Sequence, residues 1–163
     1  MTNLTTPITE EDIANLKVGE QINISGTIYT GRDAALPQLV ELIEKDEVPF
    51  DLKGSVIMHT AFSDAGIAPT TSSKVEIEST IAPLSEAGVK IHIGKGMLSD
   101  DTADALYRNN SIFVITPPVA ALLTNKVLEK KCVLFENEGM EAMFELNVEN
   151  IPGIVAIHRG KRI

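Results

Sequence analysis

A chain of 163 residues, 44% apolar and 23% charged, is long enough to bury one core and too apolar to be disordered. A net charge of −9 and the lack of a basic run exclude a nucleic-acid surface, which must neutralise phosphates. Residues 1–7 have neither the basic nor the apolar part of a secretion signal, and no apolar run reaches the ~20 residues of a membrane span. One domain over residues 1–163, in the cytoplasm and away from membranes, is the expectation.

Thr9-Glu10-Glu11-Asp12 has the hydroxyl and acids of a helix start, so a short helix is predicted through Leu16. From Gln21 to Tyr29 the apolar residues alternate, with Ile22, Ile24 and Ile28 on one face of a half-buried strand. Asp33 can cap a helix to about Lys45, with Leu39, Leu42 and Ile43 as its apolar stripe and Pro37 in its first turn. Further strands are predicted at 55–59, 90–93, 112–115, 133–135 and 154–157. Helices are predicted at 72–80, 81–87, 99–108 and 119–129, the second of them ended by Gly88. Met140, Met143 and Phe144 have helical spacing and read as core. Strand and helix alternate through the middle, the pattern of a parallel sheet with crossover helices. The strands flanking it suggest a second, smaller sheet.

Three cationic side chains fall at strand-to-helix junctions: Arg32 in Tyr29-Thr30-Gly31-Arg32-Asp33, Lys74 in Ala68-Pro69-Thr70-Thr71-Ser72-Ser73-Lys74, and Lys95 in Gly94-Lys95-Gly96. Ligands of such sheets gather beyond the carboxyl ends of the parallel strands. Glycines let a ligand approach the backbone, so Lys95 can act as a fixed charge against a carboxylate or an enolate-like intermediate. Free N–H groups at a helix start, with Thr70, Thr71 and Lys74 around them, suit an anion. Arg32 can clamp a carboxylate in bidentate fashion. Each motif also has a plainer reading: a surface turn, a helix cap, a salt bridge to the adjacent helix. Together they point to a small multi-carboxylate. Cys132 is the single cysteine, so the chain by itself forms no internal disulfide and holds no cysteine-ligated cluster. It lies in the apolar run Cys132-Val133-Leu134-Phe135 and is expected to be buried packing. His59 and His92 read as core or sheet-face residues, and His158 as an exposed one near a solvated basic tail. No histidine spacing suggests a metal pair.

Thr30-Gly31-Arg32-Asp33-Ala34-Ala35, Pro69-Thr70-Thr71-Ser72-Ser73-Lys74, Gly94-Lys95-Gly96 and Glu138-Gly139-Met140-Glu141-Ala142-Met143-Phe144 resemble, in order, the signatures of one family. It is the beta subunit of iron–sulfur-dependent class I fumarases and L-tartrate dehydratases, and the likeness runs from about Pro7 to Gly160. The resemblance implies an α/β fold: a swivelling β/β/α domain with a parallel central sheet, a second smaller antiparallel sheet and a helical layer. It implies a partner alpha subunit that holds a [4Fe-4S] cluster through three cysteines and binds the substrate hydroxyl at one iron. It also implies roles here for Arg32, for Thr70 as base, for Lys74 as the basic residue four positions on, and for Lys95. Thr71 is placed with Arg32 and Lys74 among the substrate-binding groups. The four roles implied by the resemblance would then meet in one cleft, with Thr70 near Lys95. Such a subunit would be inactive alone and, exposing surface meant for a partner, would form a homodimer when isolated.

The family usually has arginine where this chain has Lys74, and histidine where it has Leu36. Methionine and aspartate give way to Val75 and Glu76. Lysine does not reproduce a planar bidentate clamp, so the hydroxy acid stays open between fumarate/malate and tartrate-like substrates. The alternative is a non-catalytic, stand-alone domain that binds a small acid.

Overall fold

Alternating apolar residues build the strand around which the protein is organised. The computed structural model describes residues 1–63, 66–67, 75–95, 98–116 and 126–162. In it β2 spans Gln21–Gly31, with Ile22, Ile24 and Ile28 wholly buried. Before it come β1 (Thr2–Thr5) and α1 (Glu10–Ala14). Thr9 caps α1: its side chain accepts from the Asp12 N–H, and the Asp12 carboxylate accepts from the Thr9 N–H. After β2 follow α2 (Leu36–Glu44), β3 (Val56–His59), β4 (Phe62–Ser63), β5 (Gly66–Ile67) and α3 (Val75–Glu86). Next come β6 (Ile91–Gly94), α4 (Asp100–Arg108) and β7 (Ile112–Ile115). The described chain ends with β8 (Val127–Leu134), a 3₁₀ helix (Glu136–Glu141), β9 (Met143–His158) and β10 (Lys161–Arg162).

The fold is α/β. β2, β3, β6 and β7 lie side by side and parallel, as predicted. The flanking strands do not form a sheet of their own. β1 pairs in parallel with β2, and β9 pairs antiparallel with both outer members of the parallel set. Residue Ile154 is the crossover point, set against Gln21 on one side and Ile115 on the other. The eight-stranded sheet therefore curls until β9 joins its two ends, while β8 and β10 add to β9. Among the described residues the separate sheet is the two-stranded ribbon β4–β5.

Period-two side chains then divide the core. Ile22, Ile24, Ile28, Val56, Met58, Ile91, Ile93, Ile112, Val114, Leu146 and Val155 fill the inside of the curl. Each such side chain is worth roughly 1.5–3 kcal/mol on burial. Tyr29, Ile57 and Val89 face outward onto Leu36, Leu39 and Leu84 of the helical layer, and Phe113 and Ile157 onto Ile81, Leu98 and Leu106. The crossing of β9 needs a glycine: a Cβ on Gly153 would lie 2.4 Å from Val114 Cγ1.

Several local expectations change. The helix cap at Asp33 is absent; Ala35 is the N-cap and makes no side-chain cap bond. Pro83 lies inside α3, which is one helix where two were predicted; residues 72–74 are outside the described residues. Of the helix predicted at 119–129, residues 119–125 also lie outside them, and 127–129 belong to β8. Met143 and Phe144 open β9, and Met140 sits in the 3₁₀ helix, half exposed, so their helical spacing is coincidental. The basic tail is anchored, because Arg162 donates to Leu98 O and to Asp100 Oδ1, each at 2.6 Å. His158 is buried under α1, 2.8 Å from the Ile13 carbonyl oxygen, where an exposed residue was expected.

Candidate active site at the carboxyl ends of the parallel strands

Arg32 follows the last residue of β2. Its carbonyl accepts from the N–H groups of Ala35 (3.2 Å) and Leu36 (2.9 Å), which turns the chain straight into α2. Its guanidinium Nε donates to Glu141 Oε2, and both side chains stay about a quarter exposed, 27% and 26%. Two of the sequence motifs thus meet: the arginine after β2 and the glutamate of the 3₁₀ helix. With Nε bonded to Glu141, a carboxylate clamp by Arg32 would use its two terminal nitrogens.

Lys95 follows β6 and is exposed. The registers set Gly31 beside His59 and Met58 beside Ile93, so His59 and Gly94 fall in the next row. Arg32 and Lys95 therefore leave the sheet at one level with β3 between them, two strand spacings or about 10 Å apart. Two buried hydroxyls at this end, Thr30 Oγ1 and Thr116 Oγ1, find no hydrogen-bond partner among the described residues. Such orphans are uncommon among buried polar groups. A third, Ser55 Oγ, lies at the opposite end of β3.

His59 and His92, expected as core or sheet-face residues, are buried. Sequence reasoning missed that they touch. His59 Nε2 lies 3.4 Å from His92 Nδ1, and His92 Nε2 lies 2.9 Å from Ser85 Oγ on α3. Burial lowers the His59 pKa to about 4 and takes His92 well below its ordinary value, with His59 adding to the effect on His92. Both rings are neutral at pH 7, each with one N–H. A single proton order runs along the line, from Ser85 through His92 to His59 or the reverse. The signal was available: His59 ends β3 and His92 lies in the neighbouring strand on the same face, but register is needed to see the pair.

Thr70, Thr71 and Lys74 lie outside the described residues, so the expected meeting of Thr70 with Lys95 does too. Cys132 corrects its expectation: it is exposed on β8, because β8 covers β9 on one side only and its middle is open to solvent. Burial and the charge of Glu136 raise its thiol pKa, so it has no activated character. It lines a cleft of about 450 Å³ with Phe62, Lys130, Glu136, Met140 and Phe144, beside the 3₁₀ helix that holds Arg32. Leu36, at the position where histidine is usual, is fully buried and would touch a Cβ on Gly31 at 3.0 Å; here it is a packing residue. Among the described residues no group of three or more His, Cys, Asp and Glu is placed to hold a metal ion, and no helix is long and apolar enough to cross a membrane.

A curled α/β sheet with cationic side chains at its carboxyl ends is the setting in which comparison with known proteins becomes informative. The Fumarase C-terminus family model matches residues 1–162, and the chain belongs to that family. A protein of Methanocaldococcus jannaschii, named as a candidate L(+)-tartrate dehydratase subunit beta, is 33% identical over 92% of this chain and 84% of its own length. The L(+)-tartrate dehydratase subunit beta of Escherichia coli K12 is 32% identical, over 78% of this chain and 66% of its own. The anaerobic class I fumarate hydratase of the same strain is 26% identical over 89% of this chain, but the match spans only 28% of that longer protein.

Proposed function

We propose that the chain is the beta subunit of a hydro-lyase that reversibly hydrates and dehydrates a small dicarboxylate, of the fumarate/malate or tartrate kind. In this reading it is a swivelling β/β/α domain that works in the cytoplasm with an alpha subunit carrying a [4Fe-4S] cluster, and is inactive alone. The observation that carries the reading is the departure of Arg32 and Lys95 from the sheet at one level, in a chain of this family. Bound to the partner, the cluster supplies a Lewis acid for the departing hydroxyl. This chain's residues do the rest. The outer nitrogens of Arg32 hold one carboxylate, with Lys74 and Thr71 on the other. Thr70 takes the proton from carbon. A threonine hydroxyl is a weak base, so Lys95 is assigned to favour its alkoxide and to offset the charge that builds as the proton leaves.

A second reading, a non-catalytic domain that binds a small acid, is favoured by the buried packing role of Leu36. One experiment separates them. The chain is co-produced anaerobically with a three-cysteine alpha subunit from the same genome and screened against hydroxy-dicarboxylates. Turnover that is absent from either subunit alone, and that Thr70→Ala removes in a folded complex, is the expected result. Binding of the acids without turnover would favour the second reading. Substantial activity in Thr70→Ala would move the base elsewhere.

A further inference from the structure

Every group on the line from α3 to the end of β3 is buried, which leaves its protons few choices. Ser85 is 3% exposed, His92 0% and His59 2%. Ser85 Oγ lies 2.9 Å from His92 Nε2, and His92 Nδ1 lies 3.4 Å from His59 Nε2. Each contact joins one proton to one lone pair, so the first donor decides the next. Among the described residues the Ser85 hydroxyl has no acceptor other than His92 Nε2. A buried O–H without an acceptor is a costly defect in a folded chain, so Ser85 donates. His92 then carries its proton on Nδ1 and gives it to His59 Nε2, and His59 carries its own on Nδ1. Burial keeps both rings neutral, so this order persists at neutral pH.

The far end of the line lies in the row of the candidate site. His59 is set against Gly31, the residue before Arg32. A Cβ on Gly94, the residue before Lys95, would lie 3.9 Å from His59 Cβ. His92 is set against Ile57, two residues back along β3, so Nε2 of His59 faces back into the sheet and Nδ1 is turned the other way. We propose that Ser85 and His92 are positioning residues for this site: they align the line so that His59 turns the N–H end of its ring dipole toward the carboxyl ends of the strands, between Arg32 and Lys95. The inference rests on the dicarboxylate reading above and deepens it. At 2% exposure His59 acts as a fixed dipole and not by contact. A carboxylate is acceptor-only, so the reverse order, with a lone pair at Nδ1, would oppose the pull of Arg32 and Lys95. The order set by Ser85 adds to that pull without adding a group that titrates near pH 7.

Two measurements test this, one on the free chain and one on the assembled enzyme. Nitrogen NMR of the histidine-labelled free chain at pH 7 reads which ring nitrogen of each histidine carries the proton. His59 and His92 are both expected to be protonated at Nδ1 and bare at Nε2; either ring protonated at Nε2 in the wild type overturns the proposal. Ser85→Ala is expected to release the order, giving mixed forms, and Ser85→Thr, which keeps the hydroxyl, to hold it. In the complex with the alpha subunit, Ser85→Ala is expected to raise KM for L-malate or L-tartrate about threefold with a smaller change in kcat, and Ser85→Thr to restore it, with melting temperatures taken for both. A wild-type KM in Ser85→Ala, or no recovery in a folded Ser85→Thr, overturns the role at the site. Should the wild-type complex turn over no hydroxy-dicarboxylate, the hydro-lyase reading fails and the role at the site with it, while the proton order is still decided by the spectra of the free chain.

Discussion

At the candidate site a single contact, Arg32 Nε to Glu141, bears on how the proposed carboxylate clamp would be held. A lone arginine on a loop samples many rotamers; one held by Nε presents its outer edge in one direction. Glu141→Ala is therefore expected to raise KM of the assembled enzyme about tenfold while kcat falls less, since the arginine loses its ordering and keeps its own charge. Glu141→Gln keeps an acceptor and is expected to recover most of the loss; steady-state kinetics on the two variants would decide it. The histidine line yields a second expectation. His59 is neutral in the folded protein down to about pH 4, whereas an unfolded histidine protonates near pH 6.5. Between these values the unfolded chain binds the extra proton, so stability is whole above about pH 6.5 and falls as pH drops toward 4, by about 1.4 kcal/mol per unit for each such histidine. Glu10 and Glu78 titrate below the ordinary carboxylate range, through bonds from Lys90 and Asn110 and from Ser99 and Thr102 against the cost of burial, so their losses come later in the descent. Urea midpoints from about pH 7 to 4.5 are expected to fall steadily in wild type and less steeply in His59→Asn. Equal slopes would remove the histidine from the account.

Single elements were legible where local rules act alone. The helix start at Thr9, the helix at 99–108 and the strand at Ile112–Ile115 stand as read, because each is decided within a few residues. The apolar alternation of β2 gave its face correctly. The role of β9 was not legible. Its sequence reads as one short strand at 154–157, and only pairing with β2, β7 and β8 makes it sixteen residues long. Helical spacing at Met140, Met143 and Phe144 misled for the same reason: a 3₁₀ turn running into a strand mimics an i, i+3, i+4 pattern. At the candidate site, Arg32 and Lys95 were proposed from charge at junctions, while the Glu141 contact and the touching histidines needed the fold. Gly153 tests the crossing. Gly153→Ala drives a methyl into Val114 and toward the Ile115 carbonyl oxygen, and is expected to cost about 1–3 kcal/mol in chemical denaturation. An unchanged midpoint would mean that β9 can shift away without loss.

Taken as a whole, the molecule is proposed to supply half of a site. With one cysteine in the chain, anaerobic reconstitution of the isolated protein is expected to leave no stoichiometric iron or sulfide and no hydratase activity; a chromophoric, iron-loaded preparation would contradict the proposed division between subunits. On the proposed reading the isolated chain is expected to be a dimer by light scattering at high concentration. The curl of the sheet carries a further consequence, for the order in which the protein comes into being. β9 spans Met143–His158 and is the strand that links β2 to β7. During synthesis the earlier strands can line up, but their inner faces stay uncovered until β9 has left the ribosome. Contacts between segments more than a hundred positions apart close slowly, so refolding from denaturant is expected to take milliseconds to seconds. In that interval the uncovered isoleucines are the surface a chaperone would hold.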